Sequence, residues 1–85
     1  MNNRFDADKD QINKEKHGIS LERAFDMEIV RFLEDDRFDY GEVRYRAWGT
    51  IDGLSHYLAF TIRDGAVRPI SLRRAHKKEM KKNAR

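Results

Sequence analysis

The sequence predicts an α+β fold: a small antiparallel β-sheet of three to four strands, with two N-terminal helices before it and a basic C-terminal helix after it. Three observations carry this expectation. Two Asp-Gly pairs, Asp52-Gly53 and Asp64-Gly65, sit between segments of alternating polarity, the signal of two-residue hairpins. Two residues suited to capping helices, Asp6 and Ser20, stand near the start of the chain. The final stretch, from Arg73 to Lys82, is rich in Lys and Arg and reads as helix.

The elements follow in order. Asp6 caps a helix running to about Lys16 and stopping at Gly18, the residue suited to a left-handed C-cap. Its clear apolar residues are Ala7 and Ile12, so it lacks the stripe that docks most helices. Ser20 caps a second helix whose apolar face is Leu21, Ala24 and Phe25. Ile29 to Leu33 is short and rich in strand formers and is expected to be a strand. Glu34 to Gly41 reads as an exposed acidic loop. In the next strand Val43, Tyr45 and Ala47 share one face, and Arg44, Arg46 and Trp48 the other. Beyond the first Asp-Gly turn, Leu58, Phe60 and Ile62 alternate with Tyr57, Ala59, Thr61 and Arg63. Ala66 to Leu72 forms a last strand. Pro69 cannot donate to a ladder, which puts this strand at an edge or interrupts it there. The last helix opens at Arg73.

The 85 residues are expected to form a single domain, 1–85, with a modest core. There is no cysteine, hence no disulfide, thiolate metal site or cysteine nucleophile. No apolar run approaches the roughly 20 residues of a membrane helix. The opening Met1-Asn2-Asn3-Arg4 lacks the apolar core of a signal peptide. A soluble, cytoplasmic protein is expected.

Charge is polarised along the chain. Residues 1–62 hold nine basic and thirteen acidic residues, and residues 63–85 hold nine basic and two acidic. A basic end of this kind attracts polyanions, nucleic acid above all. No Gly-rich phosphate loop follows a strand. His17, His56 and His76 are too scattered for a zinc set, and no cofactor or metal is called for. What remains is a basic set: Arg63 and Arg68 on either side of the second Asp-Gly turn, Arg73, and His76 with Lys77 and Lys78 beyond it. Planar guanidinium donors match phosphate oxygens. A histidine or a carboxylate such as Glu79 suits proton transfer beside them. Lys9, Asn13 and Lys16 share a helix face next to His17 and are expected to form the other wall of a phosphate site. Trp48 and Tyr57 read as core or partner surface before they read as a platform for bases.

The order of residues resembles a known family. Asp6-x-x-Lys9-x-x-x-Asn13-x-x-Lys16-His17-Gly18-Ile19-Ser20 is similar to the opening signature of the BrnT toxins. Asp39-Tyr40-Gly41-Glu42-Val43-Arg44-Tyr45 with Ala47-x-Gly49 is similar to a middle segment of that family. Thr61-x-Arg63, Arg68-x-Ile70-Ser71-x-Arg73-x-Ala75 and Glu79 resemble its closing segment, so the likeness spans about residues 5–79. The chain departs from the family pattern at Leu72, at Pro69 and in lacking a tyrosine after Glu79. The resemblance implies a RelE-like fold and an endoribonuclease toxin of a type II toxin–antitoxin system. Its partners would be RNA and a BrnA-like antitoxin of ribbon-helix-helix type, with operator DNA reached only through that antitoxin. Under this reading Arg63, Arg68 and Arg73 hold the scissile phosphate, His17 or His76 carries the proton, and Glu79 is a second base. Lys9, Asn13, Lys16, Lys77 and Lys78 would bind RNA. The alternative is a basic binding module without catalysis, or a degenerate toxin acting as co-repressor.

Overall fold

The carboxylate of Asp6 opens the first helix, α1 (Ala7–His17), by accepting the backbone N–H groups of Asp8 (2.8 Å) and Lys9 (3.2 Å). Gly18 closes it at φ 71°, its N–H bonded to the Lys14 carbonyl. A computed structural model describes residues 4–83; Met1–Asn3, read above for a leader, and Ala84 and Arg85 lie outside the described residues. The buried residues of α1 are not apolar. They are Asp10 and Asn13. Asp10 accepts from the Ser20 hydroxyl (3.0 Å) and the Leu21 N–H (2.7 Å). Asn13 donates to the carbonyls of Ile19 (2.9 Å) and Leu72 (2.8 Å), and its own oxygen accepts the Leu72 N–H (3.0 Å). A helix without a hydrophobic stripe is thus docked by side-chain-to-backbone hydrogen bonds.

Ser20 caps the next segment as expected, accepting the Glu22 N–H. Leu21–Asp26 winds as a 3₁₀ helix rather than an α-helix, and buries Leu21 and Ala24. Four antiparallel strands follow: β1 (Glu28–Asp35), β2 (Arg44–Ile51), β3 (Leu54–Arg63) and β4 (Ala66–Arg74), paired in chain order. Both Asp-Gly turns are two-residue hairpins in which both residues take positive φ, Asp52 and Asp64 at 52° and their glycines at 76° and 78°. That backbone matches the twist of the strands it joins.

The two sheet faces differ. Ala47, Ile51, Leu58, Phe60 and Leu72 pack with Leu21 and Ala24 into the core. Arg46, Trp48, Tyr57 and Arg73 belong to the opposite face by strand alternation and register. Pro69 lies on the edge strand β4, beside a bulge. Phe60 pairs with Pro69 and Ala59 with Ser71, so Ile70 is passed over. That extra residue sets Leu72 opposite Leu58 and Arg73 opposite Tyr57. At the other edge, Gly49 pairs with Ile29. A Cβ there would sit on the Glu28 carbonyl oxygen, 2.8 Å from its carbon and 2.9 Å from the Ile29 Cα.

Two expectations need correction. Arg73 does not open the last helix. Arg73 and Arg74 pair with Tyr57 and His56, and the Ala75 N–H donates to the Ser55 carbonyl, so the ladder holds these residues extended. The helix, α2, begins at Lys77 and ends at Asn83. The acidic run is not simply a solvated loop either. Glu34 and Asp35 end β1, and Asp35 is buried. Helix α2 buries none of its own residues and lies against the face opposite the core. It is held through Glu79, which accepts the Trp48 indole N–H (3.1 Å) and two bonds from Arg73 (both 2.9 Å), and through Arg31, which donates to the Asn83 carbonyl. Trp48, at 1% exposure, is the side chain it covers.

Asn13→Ala strands three backbone groups and should lower stability by about 3 kcal/mol, read from the midpoint of urea unfolding. Gly49→Ala should cost about 2 kcal/mol or more, because rigid backbone must give way; hydrogen exchange should show β1 amides losing protection first. The Arg73 guanidinium holds the Glu79 carboxyl below its ordinary value. The ion pair therefore contributes fully above the unfolded carboxyl value and is lost as pH falls through the folded one. Emission from Trp48, the only tryptophan, should shift to the red across that acid range at a higher pH than global unfolding by far-UV circular dichroism. Coincident transitions would show that α2 does not undock separately.

Candidate active site

The face of the sheet beneath α2 gathers the charged and aromatic groups of three strands and a loop. β2 contributes Arg46 and Trp48, β3 Tyr57 and β4 Arg73. The hairpin register puts Trp48 opposite Tyr57, ring centroids 5.6 Å apart, and the bulge then puts Arg73 opposite Tyr57, its guanidinium carbon 4.5 Å from that ring. Arg46 lies 5.5 Å from the Trp48 ring.

The loop after β1 supplies a third arginine. Arg37 makes a two-point pair with Asp35 (2.8 and 2.9 Å), and the Tyr40 hydroxyl donates to the same carboxylate (3.0 Å). These donors, Arg37 foremost, hold the Asp35 carboxyl far below the usual carboxylate range. Tyr57 feels the charges of Arg37, Arg46 and Arg73, yet burial outweighs them and pushes its hydroxyl up. Tyr57 therefore keeps its proton at neutral pH and can donate a hydrogen bond.

Two of the three arginines are matched by carboxylates, Arg37 by Asp35 and Arg73 by Glu79. Arg46 is not: its Nε is buried and has no partner among the described residues. A desolvated guanidinium N–H is costly to leave unmatched. Beside two further arginines it marks a place for an anion with several acceptor oxygens, and phosphate has that form. No group of three or more His, Asp or Glu side chains among the described residues is arranged to hold a metal ion.

The structure divides the residues singled out in the sequence. Arg73 and Glu79 meet on this face, and His76 stands exposed at the foot of α2, where its carbonyl accepts the Met80 N–H. Lys77 and Lys78 are exposed on α2. Arg63 and Arg68 lie elsewhere. They line a depression at the tip of the β3–β4 hairpin with Arg4 and Phe25, roughly 15 Å along the strand from Arg73. Arg63 pairs there with Glu42 (3.2 Å), and Arg68 lies near enough to Asp6 to lower its carboxyl, behind the larger effect of the backbone N–H groups of Lys9 and Asp8. The three arginines expected to share one phosphate do not converge.

Lys9, Lys16 and His17 line a shallow depression on α1 with Ile70 and Ser71. That helix packs against β4 and the 3₁₀ segment, whereas the helix carrying Lys77 and Lys78 packs against β2. Asn13 is corrected outright. It borders the same depression, but it is buried, and both its amide hydrogens and its oxygen are bonded inside the protein. Arg37, Arg46 and Tyr57 were missed as partners of Arg73. The alternation of Arg46 with Trp48, folded across a two-residue turn, brings that face to Tyr57. Nothing in the spacing announces Arg37, which depends on the folding of its loop.

No helix among the described residues is long and apolar enough to cross a membrane. Comparison with curated proteins and with solved structures found no match. A family model does match, over residues 5–79, and its description is a ribonuclease toxin, BrnT, of a type II toxin–antitoxin system. Membership in such a system implies an antitoxin partner. The match covers nearly the whole chain, including every residue of the sheet face, and the chain belongs to the BrnT family of ribonuclease toxins.

Proposed function

We propose that this protein is an endoribonuclease that cleaves RNA on the sheet face beneath α2, without a metal ion, and that a BrnA-like antitoxin of ribbon-helix-helix type silences it. The observation that supports this most is the convergence of Arg37, Arg46 and Arg73 around Tyr57, with the Nε of Arg46 unmatched. Cleavage by the 2′-hydroxyl requires three things: removal of its proton, neutralisation of the phosphorane, and a proton for the departing 5′-oxygen. Arg46 and Arg73 would take the phosphate oxygens, and Tyr57 would donate a hydrogen bond. A phosphate on Arg73 replaces Glu79 there. It releases an ionised carboxylate beside the reacting group to accept the 2′-proton. His76, exposed next to that position, would supply the proton to the leaving oxygen. Lys77 and Lys78 would meet neighbouring phosphates. The fold would be a RelE-like one, and the site of action the cytoplasm.

The test is incubation of the purified chain with labelled RNA in EDTA, with paired variants. Arg46→Ala or Arg73→Ala should lower the cleavage rate by about 100-fold or more, the usual cost of removing one transition-state donor. Arg63→Ala/Arg68→Ala should stay within about tenfold of wild type, since charges outside the site act through association. Full activity in the Arg46 and Arg73 variants, with loss in the Arg63/Arg68 pair, would move the site to the hairpin tip. Absence of both cleavage and growth arrest would leave a binding module without catalysis.

A further inference from the structure

β4 ends in two consecutive arginines that serve opposite faces of the sheet. Arg73 stands over Tyr57, whereas Arg74, opposite His56, lines a cleft on the other side. This cleft of about 390 Å³ lies between the carboxyl end of α1 and the β2–β3 hairpin, and its walls include His17, Arg23, Asp52, Leu54, His56 and Arg74. Its size falls in the range of small-ligand sites.

His56 gives the cleft its chemistry. The residue is 4% exposed, and its Nδ1 lies 2.7 Å from the Leu54 carbonyl. A carbonyl can only accept, so Nδ1 carries a proton, and in the tautomer with that proton alone Nε2 is an acceptor. That nitrogen has no partner among the described residues, and the ring borders the cleft. The carboxyl end of α1, with its partial negative charge, lies on the same walls, where the Asp52 carboxylate is already paired with Arg23. Beside His56 on the neighbouring strand, Arg74 is anchored by its Nε to the Ser55 carbonyl (3.2 Å), which leaves its terminal nitrogens for an anion. An unpartnered ring nitrogen beside a guanidinium matches a nucleotide whose base carries an exocyclic amine.

We propose that this cleft is a second nucleotide subsite, holding the residue of the RNA strand adjacent to the phosphate cleaved at Arg73. The inference rests on the sheet-face reading above. Arg73 and Arg74, consecutive in the chain and on opposite faces, would each meet a phosphate of one strand that passes around the end of β4. Adenine, cytosine or guanine in the cleft would donate its exocyclic amine to His56 Nε2. Uracil has no such amine and would fit less well.

The experiment is an NMR titration of the full chain with trinucleotides made cleavage-resistant by 2′-O-methylation, observing the ring signals of His17 and His56 and the indole N–H of Trp48. All three should move together, and oligonucleotides with adenine, cytosine or guanine at the outer position should bind more tightly than those with uracil. Arg74→Ala, a change at an exposed residue, should lower the slope of log affinity against log salt by about 0.7, one phosphate contact on a single strand. Movement of Trp48 with silent histidines would overturn the subsite and leave the sheet face standing. Movement of the histidines with a silent Trp48 would overturn the shared path and the sheet-face reading together. No movement of any signal would overturn both.

Discussion

The amide of Asn13 forms with the backbone of Leu72 the closed pair of hydrogen bonds that an edge strand otherwise leaves to water. Through that pair α1 acts as a partial fifth partner to β4, one residue long. Its effect reaches both faces of the sheet. Leu72 is held inward against Leu58, and Arg73, the next residue, is delivered to the opposite side against Tyr57. A helix docked by an apolar stripe could slide along its groove at little cost. An amide bonded at three points to two stretches of backbone has one register. Asp10 repeats the device at the start of the 3₁₀ segment.

On the open face the same economy of partners applies to charge. Arg37 and Arg73 each have a carboxylate at two-point distance, and Asp35 and Glu79 are both kept ionised by them. In the protein without RNA, the carboxylates occupy the positions that phosphate oxygens would take. This limits the repulsion between neighbouring arginines. Under the proposed function, RNA would exchange places with an internal anion rather than enter bare positive charge. Helix α2 joins this exchange because Glu79, which pairs with Arg73, also bonds the indole of Trp48 and so holds the helix down. Loss of one contact loosens the other.

Much of the fold was legible because its signals are local. Asp6, Gly18 and Ser20 cap their segments as their chemistry requires, and two Asp-Gly turns define two hairpins. The face shared by Arg46, Trp48 and Tyr57 also follows from alternation and a two-residue turn. What escaped is non-local. The helical preference of Arg73 and Arg74 is overridden by ladder bonds to β3. Asp35 and Arg37 looked like solvated charges because their pairing depends on a loop that closes through Tyr40. Asn13, on a polar helix face, looked like a surface group, because the Leu72 carbonyl and N–H that it bonds lie 59 residues further on. The separation of Arg63 and Arg68 from Arg73 reflects the length of β4, which linear proximity conceals.

The bulge at Ile70 makes β4 a strand with two phases. Before it, odd and even positions face one way; after it, their assignment is exchanged. Were Ile70 drawn into the ladder instead of passed over, the part of the strand beyond it would be transposed. Leu72 would be turned out beside Tyr57 and Arg73 driven toward the core. The interior and the chemistry are therefore set together by one unpaired residue.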